Sequence, residues 1–193
     1  MNILLGITGA SGSIYGLRLL EELLRVANQV TLVASASGLE VCRYETGVEL
    51  NDAVALKQRW GQPDAALTIR AATDLWAPEA SGSAAPDAMV IAPCSMGTVG
   101  RIATGISGNL IERAADVMLK EHLPLLLLPR ETPFSTIHLE NLLKLSHCGA
   151  RVIPAMPGFY HQPESMMDLV DFVVGKMLDQ LGLEHQLFKR WGE

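Results

Sequence analysis

Apolar side chains arrive along this chain in short unbroken runs, separated by stretches in which they recur every three or four positions. The first run, Ile3, Leu4, Leu5 and Ile7, breaks at Gly9-Ala10-Ser11-Gly12, after which Tyr15, Leu17, Leu19 and Leu20 begin a helical stripe. Strand, tight turn and helix are the elements this predicts. QVTLVA at residues 29–34 is short and β-branched, as a second buried parallel strand should be. A helix is predicted over 38–45, a mixed helical stretch around 53–60 and a weaker strand at 67–70. Residues 77–87, APEASGSAAPD, are rich in proline, glycine, serine and alanine and predict a long loop, a candidate lid. AMVIA at 88–92 reads as strand, and residues 93–98 form a second strand-to-helix junction leading to a helix near Val99. Residues 109–121 predict a strong helix, and 125–128 a buried strand stopped by Pro129-Arg130-Glu131-Thr132. Residues 137–146 read as helix, Val152 and Ile153 as a last strand, and 165–181 as an amphipathic helix.

Strands alternating with helices imply an α/β fold: a parallel sheet with helices on both faces and right-handed crossovers. At 193 residues, 49% hydrophobic and 19% charged, the chain is expected to form a single domain spanning 1–193. No apolar run reaches the length of a membrane span, and no basic, apolar, small-residue signal pattern opens the chain. Three cysteines, Cys42, Cys94 and Cys148, lack CxxC spacing, which fits a reducing cytoplasm and neither a disulfide framework nor a zinc site. A net charge of -6 argues against a broad nucleic-acid surface. The histidines have no HxH or HxxxH spacing and no carboxylate cluster beside them, so no protein-held metal is expected.

In a parallel sheet ligands bind beyond the carboxyl ends of the strands. Gly9, Ala10 and Ser11, Ser35, the stretch Ser95, Met96, Gly97 and Thr98, and the pair Arg130 and Glu131 all fall on that rim. Gly6, Gly9 and Gly12 make GxxGxxG, not the GxGxxG dinucleotide fingerprint, and the second strand ends in Ser35-Ala36-Ser37 where a nicotinamide site wants a carboxylate. Hydroxyls there suit a phosphate or a flavin. The N–H groups at the first helix start would face an anion, usually a phosphate; the alternative is that the glycines permit close helix and sheet packing. Arg113, Asp116 and Lys120 share one helix face opposite Leu110, Ala114 and Met118, either as a solvated stripe or as ligand contacts. Arg130 follows the buried run directly and is pinned at a strand end, and Tyr160 also reaches the rim. Cys94, a small buried residue with no basic neighbour in sequence, is not expected to be a nucleophile.

TGASGxxYGLRLL, APCSMGT, NLIERAADVMLKE, PLLLLPRETPFSTIHLENLLKL, PGFYHQP and the terminal RWGE together resemble the flavin prenyltransferases of the UbiX type, historically described as aromatic-acid decarboxylases. The similarity runs from about Ile3 to the C-terminus and is weakest between Gly47 and Trp76. The resemblance implies a three-layer, Rossmann-like (flavodoxin-like) flavoprotein, a homo-oligomer and usually a dodecamer. It implies that dimethylallyl monophosphate alkylates reduced FMN at N5 and C6, releasing phosphate, and that the prenylated FMN passes to a UbiD-type decarboxylase. By the same resemblance FMN lies on Gly9, Ala10, Ser11, Ser35, Ser95, Met96, Gly97, Thr98 and Arg130. The prenyl phosphate lies on Tyr160 and Lys176, with Glu45, Arg113, Lys120 and Glu131 around the reacting centre and Trp191 near the tail. The tail, about 183–193, is expected to pack on a neighbouring subunit. Family members commonly carry an aromatic just before the 77–87 segment, and here the indole of Trp76 falls one position late.

The chemistry these residue types suit is departure of a phosphate whose growing charge is met by fixed cations and a proton donor. Glu131 is the expected acid and later base, with Glu45 handling protonation. Two rival readings remain open: an FMN-dependent decarboxylase acting directly on an aromatic or cysteine-type acid, and a non-catalytic flavin carrier. The cysteine decarboxylases use a histidine in the N-terminal half, and the first histidine here is His122.

Overall fold

A computed structural model describes residues 1–192; Glu193, the last residue of the RWGE stretch, lies outside the described residues. Strand β1, Asn2–Ile7, runs through the middle of the sheet. Because successive side chains of a strand point to opposite faces, its unbroken apolar run feeds two cores: Ile3, Leu5 and Ile7 enter one and Leu4 the other. The same division holds in β2 (Gln29–Ala34), β4 (Ala88–Cys94) and β5 (Leu125–Pro129). The edge strands β3 (Leu67–Ala71) and β6 (Arg151–Val152) are only half covered, which is why their sequence signal is weaker. All pairings are parallel, in the order β3-β2-β1-β4-β5-β6.

Helices α1 (Ser13–Val26), α2 (Ala36–Thr46), α3 (Ala53–Arg59) and α7 (Met166–Leu181) close the first core. Helices α4 (Met96–Ala103), α5 (Leu110–Lys120) and α6 (Thr136–His147) close the second. The result is the expected three-layer α/β sandwich. Among the described residues no helix is long and apolar enough to cross a membrane.

Most helices begin on a side-chain cap: Ser35, Asp52, Ser95, Asn109, Ser135 and Ser165 each accept a backbone N–H from the first turn. Ser95 starts α4 at Met96, three residues before the expected Val99, and β4 continues through Pro93 to Cys94. Helix α1 approaches β4 so closely that a Cβ on Gly16 would overlap the Ala92 carbonyl oxygen. Gly16→Ala is therefore expected to destabilise the fold by about 2 kcal/mol, overpacking outweighing the gain in helix propensity, as read by urea unfolding.

The 77–87 segment is not the open loop its composition predicts. It folds into two 3-10 turns, Pro78–Ala80 and Gly82–Ala84, with Ala77 and Glu79 buried, and it packs against α5. A buried carboxylate and a backbone contact to Arg113 hold it down, so its first half cannot act as a loose lid. Beyond Gly182, in the left-handed conformation that ends α7, the tail turns back along its own helix. Leu183, Leu187 and Phe188 join the first core, and a Cβ on Gly175 would overlap the Phe188 ring. Asp179 holds this return through His185 Nε2 at 3.2 Å and Arg190 Nη2 at 2.8 Å. Burial opposes its charge, but those two partners outweigh burial and keep its carboxyl below the usual value.

Candidate functional site

The strand order reverses at β1, whose neighbours β2 and β4 lead into helices on opposite faces of the sheet. Such a switch point opens a crevice at the carboxyl ends of the strands. Thr8 stitches the two sides together: its buried Oγ1 donates to the Pro93 carbonyl at 2.9 Å and accepts the Ser95 N–H at 2.8 Å. Arg130, at the end of β5, donates from Nε to the Ser11 carbonyl at 2.9 Å. The Gly9-Ala10-Ser11 loop is thereby clamped from the β5 side. On the other side a Cβ on Gly9 would overlap Ser37 Oγ, so glycine is needed for α2 to start this close. Gly12 has φ 103, a left-handed conformation that glycine adopts without strain.

Three helix N-termini, those of α1, α2 and α4, meet at this rim, each with the positive end of its dipole directed there. The N–H groups of Gly9, Ala10, Ser11, Ala36, Ser37, Met96 and Gly97 have no protein partner among the described residues. Around them stand the hydroxyls of Ser35, Ser37, Ser95 and Thr98; Ser95 Oγ and Thr98 Oγ1 are 3.0 Å apart, and Arg101, ion-paired with the buried Glu112, reaches Thr98 at 3.4 Å.

Glu45 corrects one expectation. The amides at the start of α1 do not stand free for a phosphate: the Glu45 carboxylate accepts Gly12 N–H at 3.0 Å and Ser13 N–H at 2.9 Å. Both ends of α2 therefore lie at the rim, one capped by Ser35 and the other delivering Glu45. Burial pushes the Glu45 carboxyl up, but hydrogen bonds from the Ser11 side chain and from the Ser13 and Gly12 amides outweigh it and hold the group below its usual value. A carboxyl lowered in the folded state contributes stability above its unfolded pKa, and that contribution is lost as pH falls through the folded one. Glu45→Gln is expected to cost at most about 1 kcal/mol near neutrality, a difference that closes in acid; urea unfolding at the two conditions measures it.

The cations fall into separate groups. Arg113 is held at two points, Nε on the Ala80 carbonyl at 3.0 Å and Nη1 on Asp116 at 2.8 Å. Lys120 pairs with Glu121 at 2.6 Å, beside Gly82. Lys176 lies over the rings of Phe172 and Phe188 at 5.8 and 5.3 Å, with Asp179 at 3.7 Å. Tyr160 packs edge-on against Phe172 and Trp191, their centroids 5.6 and 5.1 Å away, on the wall of a cavity of about 490 Å³ that also takes in Lys189 and Arg190. Among the described residues no contact joins the Arg113 and Lys120 group to the Tyr160, Lys176 and Trp191 group within one chain. Glu131, next to Arg130, accepts the Thr132 N–H at 3.1 Å. Trp76 is 99% exposed and so walls nothing in its own chain. Burial pushes the Cys94 thiol up to about 12, which keeps it protonated and unreactive. Thr8 is the rim residue that the sequence did not announce, although it is a hydroxyl just past the end of β1.

The Flavoprotein family model matches residues 1–180. The flavin prenyltransferase UbiX of Halalkalibacterium halodurans is 52% identical over 189 residues, covering 97% of this chain and 92% of that protein. The dodecameric FMN-dependent UbiX-like decarboxylase from Escherichia coli O157:H7 is 41% identical, with a TM-score of 0.91 and 100% of each chain covered. AnUbiX (PadA1), solved in complex with FMN and dimethylallyl pyrophosphate, is 38% identical with a TM-score of 0.91, covering 100% of this chain and 97% of that one.

Proposed function

The chain belongs to the flavin prenyltransferase UbiX family of flavoproteins, and from that membership we propose that it transfers the dimethylallyl group of dimethylallyl monophosphate to N5 and C6 of reduced FMN. The observation that carries this reading is the switch-point rim, where N–H groups at the starts of α2 and α4 and along the Gly9-Ala10-Ser11 loop lack protein partners. An anion of the size of a flavin phosphate fits such a rim, and no carboxylate follows β2 to claim an adenosine ribose. FMN binds Gly9, Ala10, Ser11, Ser35, Ser95, Met96, Gly97, Thr98 and Arg130. Reduced FMN supplies the nucleophilic N5 and C6; the chain's residues do the rest.

Arg113, Lys120, Tyr160 and Lys176 bind the donor phosphate, and Trp191 closes over the prenyl chain. Each charge-assisted contact is worth about 1.5 to 3 kcal/mol, and the part that strengthens as the carbon–oxygen bond breaks lowers the barrier. Glu131 gives a proton to the departing phosphate oxygen and later takes one from flavin C6, while Glu45 stays ionised and fixes the start of α1 beside the flavin through the Gly12 and Ser13 amides. The transfer runs on side-chain cations and needs no metal.

Since Arg113 and Lys120 stand apart from Tyr160, Lys176 and Trp191 in one chain, copies of the chain complete one another's sites. The assembly is a homo-oligomer, a dodecamer as in the Escherichia coli relative, with Trp76 and the outer face of residues 183–192 against neighbours. The product goes to a UbiD-type decarboxylase in the cytoplasm. Anaerobic phosphorus NMR tests the reaction: the monoester signal should convert to inorganic phosphate only when protein, FMN and a reductant are all present. A monoester left intact under those conditions rejects it. Direct decarboxylation would instead consume an aromatic acid with no prenyl donor present.

A further inference from the structure

We propose that Glu79, held by Thr31, is the positioning residue for the cations Arg113 and Lys120; this rests on the reading that those two bind the donor phosphate. Glu79 sits in the turn Pro78–Ala80 and is 8% exposed. Its Oε1 accepts the hydroxyl of Thr31, a β2 residue, at 3.0 Å. Its Oε2 is buried without a hydrogen bond, and the nearest cation, Arg70 Nε, is itself unbonded and 3.7 Å away. Taking a carboxylate out of water for one hydroxyl and a long ion pair is unfavourable in itself.

What it holds is the next residue. The Ala80 carbonyl accepts Arg113 Nε at 3.0 Å, and Asp116 takes Nη1 from the other side. These two anchors use part of the five-donor guanidinium fork and leave the remaining donors for a ligand. Two residues further on, a Cβ on Gly82 would overlap Glu121 Oε1 and stand 3.0 Å from Lys120 Nζ, so the second turn lies directly against the Lys120 and Glu121 pair. The turns pinned by Glu79 are thus the floor on which both cations rest. With the pin removed, Arg113 keeps Asp116 but loses its fixed carbonyl, and Lys120 loses its backing.

The test varies dimethylallyl monophosphate over the full-length oligomer at saturating reduced FMN. Glu79→Ala is expected to raise the donor KM by about tenfold, and Thr31→Val, which removes only the hydroxyl, to raise it in the same direction. Glu79→Gln, which keeps an acceptor for Thr31, is expected to restore most of the loss. FMN affinity by fluorescence titration is expected to stay at the parent value in all three. In a background carrying both Arg113→Ala and Lys120→Ala, Thr31→Val is expected to add nothing further. If Arg113→Ala raises the donor KM while Thr31→Val and Glu79→Ala leave it unchanged, the positioning role is overturned. It is equally overturned if those variants weaken FMN binding as much as they raise the donor KM. If Arg113→Ala itself leaves the donor KM unchanged, the phosphate reading fails and takes this one with it. Should Glu79→Ala not fold, Thr31→Val and Glu79→Gln decide between the same outcomes.

Discussion

Glu131→Gln is expected to slow single-turnover phosphate release by about 10²- to 10⁴-fold, the usual contribution of a positioned general acid, with FMN binding unchanged. A phosphate monoester leaves poorly unless its bridging oxygen gains a proton or its charge is met, and glutamine can supply neither the proton nor the later base. Glu131 follows Arg130, whose Nε holds the Ser11 carbonyl of the Gly9-Ala10-Ser11 loop, so its backbone is fixed relative to the proposed FMN site. Its carboxylate already accepts the Thr132 N–H, which a glutamine oxygen can also accept, so the substitution removes the proton and spares the local structure. Rapid-quench measurement with reduced FMN bound is the check; unchanged release would remove Glu131 from the role.

Arg113→Ala is expected to lower kcat/KM for the donor by about 10²- to 10³-fold, the loss typical of deleting one preorganised donor to a developing anion. Arg113→Lys should recover little of it. The guanidinium is tied by Nε to the Ala80 carbonyl and by Nη1 to Asp116, and a lysine ammonium cannot span both while still offering donors to a phosphate. Steady-state kinetics of both variants, with FMN affinity as the control, reads the effect. A recovery above half of the parent kcat/KM in the lysine variant would mean that Arg113 acts as a point charge and its two-point anchoring is incidental.

The sheet was legible because it is covered on both faces. Ile3 to Ile7, Val30 to Ala34 and Leu125 to Leu128 serve two cores and are apolar at nearly every position, Thr31 being the polar exception, and such runs stand out. The starts of α5 and α7, at Asn109 and Ser165, were legible to within a residue, whereas Ser35 and Ser95, read as ligand hydroxyls, also cap α2 and α4 two to three residues ahead of the expected starts. What was not legible depended on distant partners. The composition of 77–87 predicts a long loop, but the segment folds into two 3-10 turns, because Glu79 meets Thr31, 48 residues earlier in the chain. Glu45 lies 33 residues from the Gly12 amide it caps, and no periodicity relates the two. Lys176 and Trp191 were named only through family resemblance. Their cluster is built by the tail folding back over α7, with Phe188 lying against Gly175, which no local pattern announces.

Prenyl transfer to the flavin is tested most directly by weighing the flavin. Protein, FMN, a reductant and dimethylallyl monophosphate are incubated without oxygen, and the extracted flavin is examined by mass spectrometry. The expected result is a flavin heavier by one C5H8 unit, formed only when reductant and donor are both present. A flavin of unchanged mass recovered from folded, FMN-loaded protein would contradict the proposed activity.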